Sequence, residues 1–274
     1  MNTLQSDKPI IMGILNVTAD SFSDGGRFVD ADAAVRHAAA MVEQGADIID
    51  VGGESTRPGA QRIAAAGQKD RVLPIIESLR DTLPEGVPIS IDTTLAEVAD
   101  AALQAGAAMI NDISGGREDE DILRLAADRD VPLILMHMQG TPETMQEAPV
   151  YEDVVEEIRA FLLQRAQVAE KAGVGHGQII LDPGIGFGKT RQHNLALLAS
   201  LYRFVDTGYP VLLGTSRKRF MGSICHSDDV TGLVGATCAT TALGVMAGVR
   251  LFRVHDVLPN RQAADVAWAI KSSE

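Results

Sequence analysis

Short runs of β-branched and apolar residues recur along the chain at 10–17, 47–53, 88–93, 109–114, 133–137, 179–184, 211–216 and 251–256. Their length and composition predict buried strands. Between them the apolar positions change to a spacing of three and four, as in Ala34, Val35, Ala38, Met41 and Val42, which buries one face of a helix. Another helix is predicted to begin with Thr94, whose hydroxyl caps the first turn while Glu97 reaches back, and to stop near Gly106. Strand then helix, eight times over, predicts a closed parallel (β/α)8 barrel, the TIM-barrel architecture, as one domain over residues 1–274.

The connections are lopsided. Helix-to-strand joins are tight, as at Gly45-Ala46, Gly106-Ala107 and Gly248-Val249, whereas the strand-to-helix joins at about 18–29, 54–70, 138–150 and 217–231 are long. Barrels of this kind build their active sites from the loops after the strands, so the C-terminal strand ends are the expected functional face. An internal echo points to the same end. Five residues after each of Gly45, Gly106 and Gly248 a polar residue interrupts an apolar strand: Asp50, Asn111 and Arg253. Such groups are costly to bury alone, so each is either satisfied inside the fold or turned toward a ligand.

Composition narrows the partners. The 274 residues carry 24 Lys+Arg against 37 Asp+Glu, a formal charge of −13, which argues against nucleic acid and anionic membranes as partners. With 46% hydrophobic and 22% charged residues the chain can bury a large core. Two cysteines, Cys225 and Cys238, form no zinc-ligand pattern or disulfide framework, and the N-terminus lacks a secretory signal, so a cytoplasmic location is expected. Residues 232–249 are 18 uncharged positions, yet their four glycines and three threonines read as a buried helix rather than a membrane span. The acidic run Glu118 to Asp121 reads as a solvated helix start.

Asp92, Asn111 and Asp182 stand at strand ends. A carboxylate there matches the paired N–H groups of a 2-amino-4-oxopyrimidine edge, and an amide both donates and accepts. Capping of the following helices is the competing role. A basic group stands out in an acidic chain: Arg253 and His255 are two apart in one strand and share a side, Arg217, Lys218 and Arg219 follow strand seven, and Arg57 lies after strand two. A phosphate or diphosphate is the expected guest. The loop Gly184 to Thr190, GIGFGKT, imitates a nucleotide phosphate loop but has Pro183 where that motif needs glycine, so no nucleotide is assigned.

Taken in order, GILNVTADSFSDGG, DVGGESTRPGA, SIDT, NDISG, LMHMQGTPETMQ, LDPGIGFGKT, GTSRKRF and RVHDV resemble the dihydropteroate synthase family from the first strand to the last. The resemblance implies alkyl transfer: condensation of 6-hydroxymethyl-7,8-dihydropterin diphosphate with p-aminobenzoate, giving 7,8-dihydropteroate and diphosphate in folate biosynthesis. It further implies Mg²⁺ as cofactor, a homodimer and membership of a family that is the target of sulfonamide drugs. Carried over by motif, Asp92, Asn111, Asp182 and Lys218 hold the pterin, with Ile113 and Met136 packed on its ring. Asn16, Thr56, Arg57, Arg253 and His255 face the diphosphate, Asn16 being the protein's ligand to Mg²⁺. Thr56, Pro58, Phe187, Ser216 and Lys218 match the p-aminobenzoate positions, and Lys218, Arg253 and His255 are the expected catalytic groups.

Two departures touch loops rather than these groups. Ala19 stands where the family's first loop usually has proline, and Thr94-Leu95 follow SIDT in place of an aromatic and a basic residue. A pterin-binding methyltransferase barrel would share the Asp/Asn recognition but has no use for Arg57, Arg253 and His255; a catalytically silent pterin binder is the other alternative.

Overall fold

The computed structural model describes residues 7–17, 27–55, 59–60 and 62–273, the side chains of 27–30 aside. Its eight strands are β1 (Ile10–Asn16), β2 (Ile48–Gly52), β3 (Ile89–Asp92), β4 (Met109–Asp112), β5 (Leu133–Met136), β6 (Ile179–Asp182), β7 (Leu212–Leu213) and β8 (Leu251–Val254). All pairings are parallel, in the order β6-β5-β4-β3-β2-β1-β8-β7. A bridge between Leu181 and Val211 joins the two ends and closes the cylinder. Each predicted strand is present, and the (β/α)8 barrel is the observed architecture.

The helices are α1 (Arg27–Glu43), α2 (Ala65–Thr82), α3 (Ala96–Ala105), α4 (Asp121–Arg129), α5 (Val154–Lys171), α6 (Arg191–Ala199), α7 (Leu201–Val205), α8 (Arg219–Cys225), α9 (Val234–Ala247) and α10 (Val257–Lys271). Alternation along each strand sends side chains to opposite faces. Ile11, Ile49, Ile91, Ile110, Leu135, Leu181 and Phe252 point outward into the layer shared with the helices. Ile10, Met12, Ile48, Met109, Ile134, Ile180, Leu212 and Leu251 point inward and form a separate apolar plug. Two residues further along the strands, on the same inner face, stand Asp50, Asn111, Met136, Asp182, Gly214 and Arg253. The plug closes one end of the barrel and leaves a polar layer above it.

Gly45, Gly106 and Gly248 end their helices at φ of 98°, 125° and 100°, a conformation that L side chains rarely adopt. This is why the helix-to-strand joins are short.

The structure revises four local expectations. Thr94 does not cap α3: Leu95 takes that position without a side-chain cap, and the Ala96 N–H donates to Asp119 at 2.8 Å. The acidic run is therefore not merely solvated, since Glu118 also pairs with Arg62. The uncharged stretch 232–249 is buried on one face only; Thr237, Thr241 and Val245 face inward while Leu243 is 64% exposed. The short helices α7 and α8 add to the eightfold repeat, α8 inside the loop after β7. Among the described residues, no helix is long and apolar enough to cross a membrane.

Because Ile180 is wholly buried within the plug, Ile180→Ala is expected to lower unfolding stability by about 2–5 kcal/mol, measured by denaturant titration. A loss below about 1 kcal/mol would show that the plug can collapse around the void.

Candidate active site

The strand register assembles the rim. Asn16 pairs with Gly52, Gly52 with Asp92, and Asp92 with Asn111, so four neighbouring strands end level. On the other side Met136 pairs with Asp182. Two inward positions carry no side chain: a methyl on Gly52 would lie 3.5 Å from Asp92 Cβ and 3.7 Å from Asn16 Oδ1, and one on Gly214 would lie 3.9 Å from Asp182 Oδ2 and 4.0 Å from Arg253 Cβ. These glycines leave open space between the acids.

The three echo residues meet. Arg253 donates from Nε to Asp50 Oδ2 at 2.6 Å and from a terminal nitrogen to Asp92 Oδ2 at 2.7 Å, while Asn111 Nδ2 donates to the same Asp50 oxygen at 3.1 Å. Asp50 is wholly buried. Its Oδ2 is satisfied inside the fold and holds the arginine and the amide that were expected to touch a ligand, while its buried Oδ1 has no hydrogen-bond partner among the described residues. Burial pushes the Asp92 carboxyl up to about 7, against the pull of Arg253 and with the push of Asp50. Burial acts to lower the Arg253 pKa, but Asp50 and Asp92 outweigh it and raise the guanidinium above its ordinary value.

Asp182 accepts the Gly184 N–H at 2.7 Å, and burial pushes it up to about 6 despite that bond and the nearby Lys218, Lys189 and Arg253 charges. Lys218 is half-buried with its ammonium 3.9 Å from the centre of the Phe187 ring. Burial, then the Arg253 charge, pulls it down to about 8, while Asp182 and Asp92 resist. Ile113, Met136, Met138, Met145 and Phe187 form a continuous apolar wall beside these groups. Acids, wall and Lys218 thus frame a slot with one polar edge and one apolar face, suited to a flat heterocycle.

The loop GTSRKRF divides its residues. Arg217, in the left-handed region at φ 57°, turns away to pair with Asp256 at 2.7 Å, and Arg219 is exposed. Only Lys218 of the three enters the site. Ser216 Oγ lies 2.9 Å from His255 Nδ1 and accepts the His255 backbone N–H at 3.1 Å. Burial, with Arg253, Arg217 and Lys218 nearby, pushes His255 down to about 3, so its imidazole is neutral at neutral pH. The expected basic pair is therefore one guanidinium and one neutral ring. Thr56, Arg57 and Pro58 lie outside the described residues. The remaining site residues gather at one end of the barrel. The opposite end has a groove of about 410 Å³ lined by Leu79, Leu83, Val87, Pro88 and Met109, with none of these groups in it.

This constellation has counterparts. A family model described as pterin binding enzyme matches residues 12–255. The dihydropteroate synthase of Synechocystis is 48% identical over 260 residues, covering 95% of this chain and 89% of that protein. A dihydropteroate synthase from Xanthomonas albilineans, solved with 4-aminobenzoic acid, superposes with a TM-score of 0.90 at 43% identity, covering 97% of this chain and 94% of that one. The same enzyme in complex with 7,8-dihydropteroate gives a TM-score of 0.86 at 40% identity, with 97% and 95% covered. The chain belongs to the dihydropteroate synthase family of pterin-binding enzymes.

Two buried polar assemblies around this dihydropteroate synthase site were not legible beforehand. Glu54 accepts from Gln68 Nε2 at 2.9 Å, and Thr93 donates to Gln68 Oε1 at 3.0 Å, so a chain of hydrogen bonds ties the start of the loop after β2 to the residue beside Asp92. Lys189 and His137 form the other, joining the loops after β5 and β6. Three methionines in one motif, Met136, Met138 and Met145, were the available sign of the apolar wall, of which only Met136 was singled out.

A carboxylate must be ionised to accept two N–H groups. With Asp182 pushed up to about 6, that acceptor is lost as pH falls through this value. Pterin affinity measured by calorimetry is expected to weaken by up to about tenfold per pH unit below about pH 6. Asp182→Asn should bind weakly with a flatter profile; an unchanged acid limb in that variant would move the titration to another group.

Proposed function

We infer that this chain joins 6-hydroxymethyl-7,8-dihydropterin diphosphate to p-aminobenzoate, forming 7,8-dihydropteroate and releasing diphosphate. The observation that carries the reading is the single rim on which Asp92, Asn111 and Asp182 converge beside Lys218, Phe187 and Arg253, in a chain nearly collinear with dihydropteroate synthases. In the reaction the methylene–oxygen bond breaks and the diphosphate leaves with its electron pair. The amine nitrogen then supplies the pair for the new C–N bond and gives up a proton. Asp92 and Asp182 are buried carboxyls whose ionised forms are disfavoured in the ligand-free site. Positive charge growing on the pterin fragment as the bond lengthens is a countercharge that favours them.

Asp182 and Asn111 orient the ring, and the apolar wall of Ile113 and Met136 covers its face. Arg253 spans from the acids toward the leaving group. The neutral His255 offers a hydrogen bond to the diphosphate and gains charge as anionic oxygen approaches. Lys218, Phe187 and Ser216, with Thr56 and Pro58, form the p-aminobenzoate side, and Arg57 contributes to diphosphate binding. Magnesium fits a site to which the protein itself brings few ligands. Asn16, the family's magnesium position, has its amide oxygen 3.7 Å from where a methyl on Gly52 would stand and would share the ion with substrate oxygens. When bound, Mg²⁺ supplies charge neutralisation for the departing diphosphate. A cytoplasmic setting is consistent with the free thiols of Cys225 and Cys238.

The dimer reading is supported by one surface. Leu243 and Met246 of α9 and Val266 and Ile270 of α10 are each 40% exposed or more, and they line a shallow groove of about 470 Å³. A second copy placing the same face here would cover it in an isologous contact.

Diphosphate release should require both p-aminobenzoate and Mg²⁺ when each is omitted in turn. Release without p-aminobenzoate would leave a hydrolase, and pterin binding with no release would leave a silent binder. His255→Ala is expected to lower kcat by on the order of 10²-fold with unchanged thermal stability; full turnover would remove His255 from the mechanism. Leu243→Glu should shift the mass measured by light scattering from dimer to monomer, and a wild-type monomer would dispose of the dimer.

A further inference from the structure

Lys189 ends the glycine-rich run after β6, and its ammonium is almost sealed from solvent at 3% exposure. It donates to the Phe187 carbonyl at 2.8 Å and to the His137 carbonyl at 3.3 Å, and lies 3.0 Å from His137 Nδ1. A lysine amino group donates at least two N–H bonds in either charge state, enough for the two carbonyls, one from each loop. Burial, reinforced by the Lys189 and Arg117 charges, pushes His137 down to about 2, in keeping with a neutral ring. Burial likewise draws the Lys189 pKa well below its ordinary value. The imidazole is fixed edge-on against Phe161, 4.8 Å between ring centres.

The two loops meet backbone to backbone. A methyl on Gly184 would come within 2.0 Å of the His137 carbonyl oxygen, and one on Gly188 within 2.6 Å of the Gln139 oxygen. Both glycines have positive φ, 66° and 63°. Contact this close buries carbonyls from both loops, and Lys189 is the donor that satisfies one from each. Other ties on this segment do not involve the loop after β5 at His137: Tyr151 donates to the Gly188 carbonyl and Gln146 to that of Gly186, both at 2.8 Å, and the Gly186 N–H donates to the buried Asn194 Oδ1 at 2.7 Å.

Phe187 is thereby held twice, by its carbonyl on Lys189 and by its ring in the wall with Met138 and Met145. The ring in turn carries the Lys218 ammonium. We propose that Lys189 is a positioning residue for the arylamine subsite, setting the placement of Phe187 and of the Lys218–Phe187 pair without touching either substrate. This rests on the reading of Phe187 as a p-aminobenzoate contact given above.

Lys189→Met keeps the length and removes the donors; Lys189→Gln keeps two. The KM for p-aminobenzoate is expected to rise at least tenfold in Lys189→Met and by less in Lys189→Gln. The Kd for the pterin, measured by calorimetry without p-aminobenzoate, should move less than threefold in both. Equal losses for the two substrates, or none, would overturn the proposal. Hydrogen exchange supplies an arm independent of turnover. The Gly186 and Phe187 amides should exchange at least tenfold faster in Lys189→Met while β1 to β4 are unchanged, and unaltered exchange would also overturn it. Should Lys189→Met not fold, Lys189→Gln decides on the same two readouts. A wild-type protein that releases no diphosphate would sink the proposed reaction, leaving exchange to decide whether Lys189 holds the loops.

Discussion

The site depends on one guanidinium held between two carboxylates inside a closed cylinder. Arg253 bonds Asp50 and Asp92, and Asp50 also takes the Asn111 amide, so residues from β2, β3, β4 and β8 share one network. Removing any one partner would leave an uncompensated buried charge or amide, which costs more than the intact assembly is worth. The apolar plug beneath makes this demanding. Ile48, Met109 and Leu251 exclude water from below, and the polar residues two positions on must be satisfied by each other or by a guest.

Strand positions were legible because a parallel barrel buries both faces of every strand, and eight apolar runs between helical spacings leave few alternatives. The functional end was legible from loop length and from the polar interruptions at Asp50, Asn111 and Arg253. What those interruptions do was not. Period alone says that a polar side chain points inward; whether it meets a protein partner or a ligand depends on strands about sixty to two hundred positions away, as with Asn111 and Arg253 at Asp50. Local rules failed where tertiary contacts supplied a better partner. Thr94 lost the capping role to Asp119 from a neighbouring loop, and in the uncharged stretch around α9 the inward face is mostly threonines, with Val245, while Leu243 and Met246 stay exposed.

The glycine-rich run after β6 shows how a motif can mislead and still carry information. Its glycines do not make room for a phosphate. Gly184 and Gly188 let two loops touch through their backbones, and Gly186 leaves space for the Lys218 stem, 2.9 Å from where a methyl would stand. The lysine that imitates a phosphate ligand is turned inward instead, onto carbonyls. The same residue types, glycines for close approach and a lysine for oxygen, serve structural acceptors here, the carbonyls of Phe187 and His137.

Electrostatics link this architecture to catalysis. Burial raises both Asp92 and Asp182, so the ligand-free site holds carboxyls whose ionised forms are disfavoured. A pterin edge supplies N–H donors to such groups, and growing positive charge on the ring supplies the missing countercharge. His255 works in the opposite sense: neutral while Arg253, Arg217 and Lys218 surround it, it becomes easier to protonate as a diphosphate brings negative charge near. Each side of the bond that breaks therefore meets a group held away from its favoured charge state, and charge separation in the substrate relaxes both. A site arranged this way binds the separating fragments more strongly than the intact substrate, which is the condition for accelerating the step.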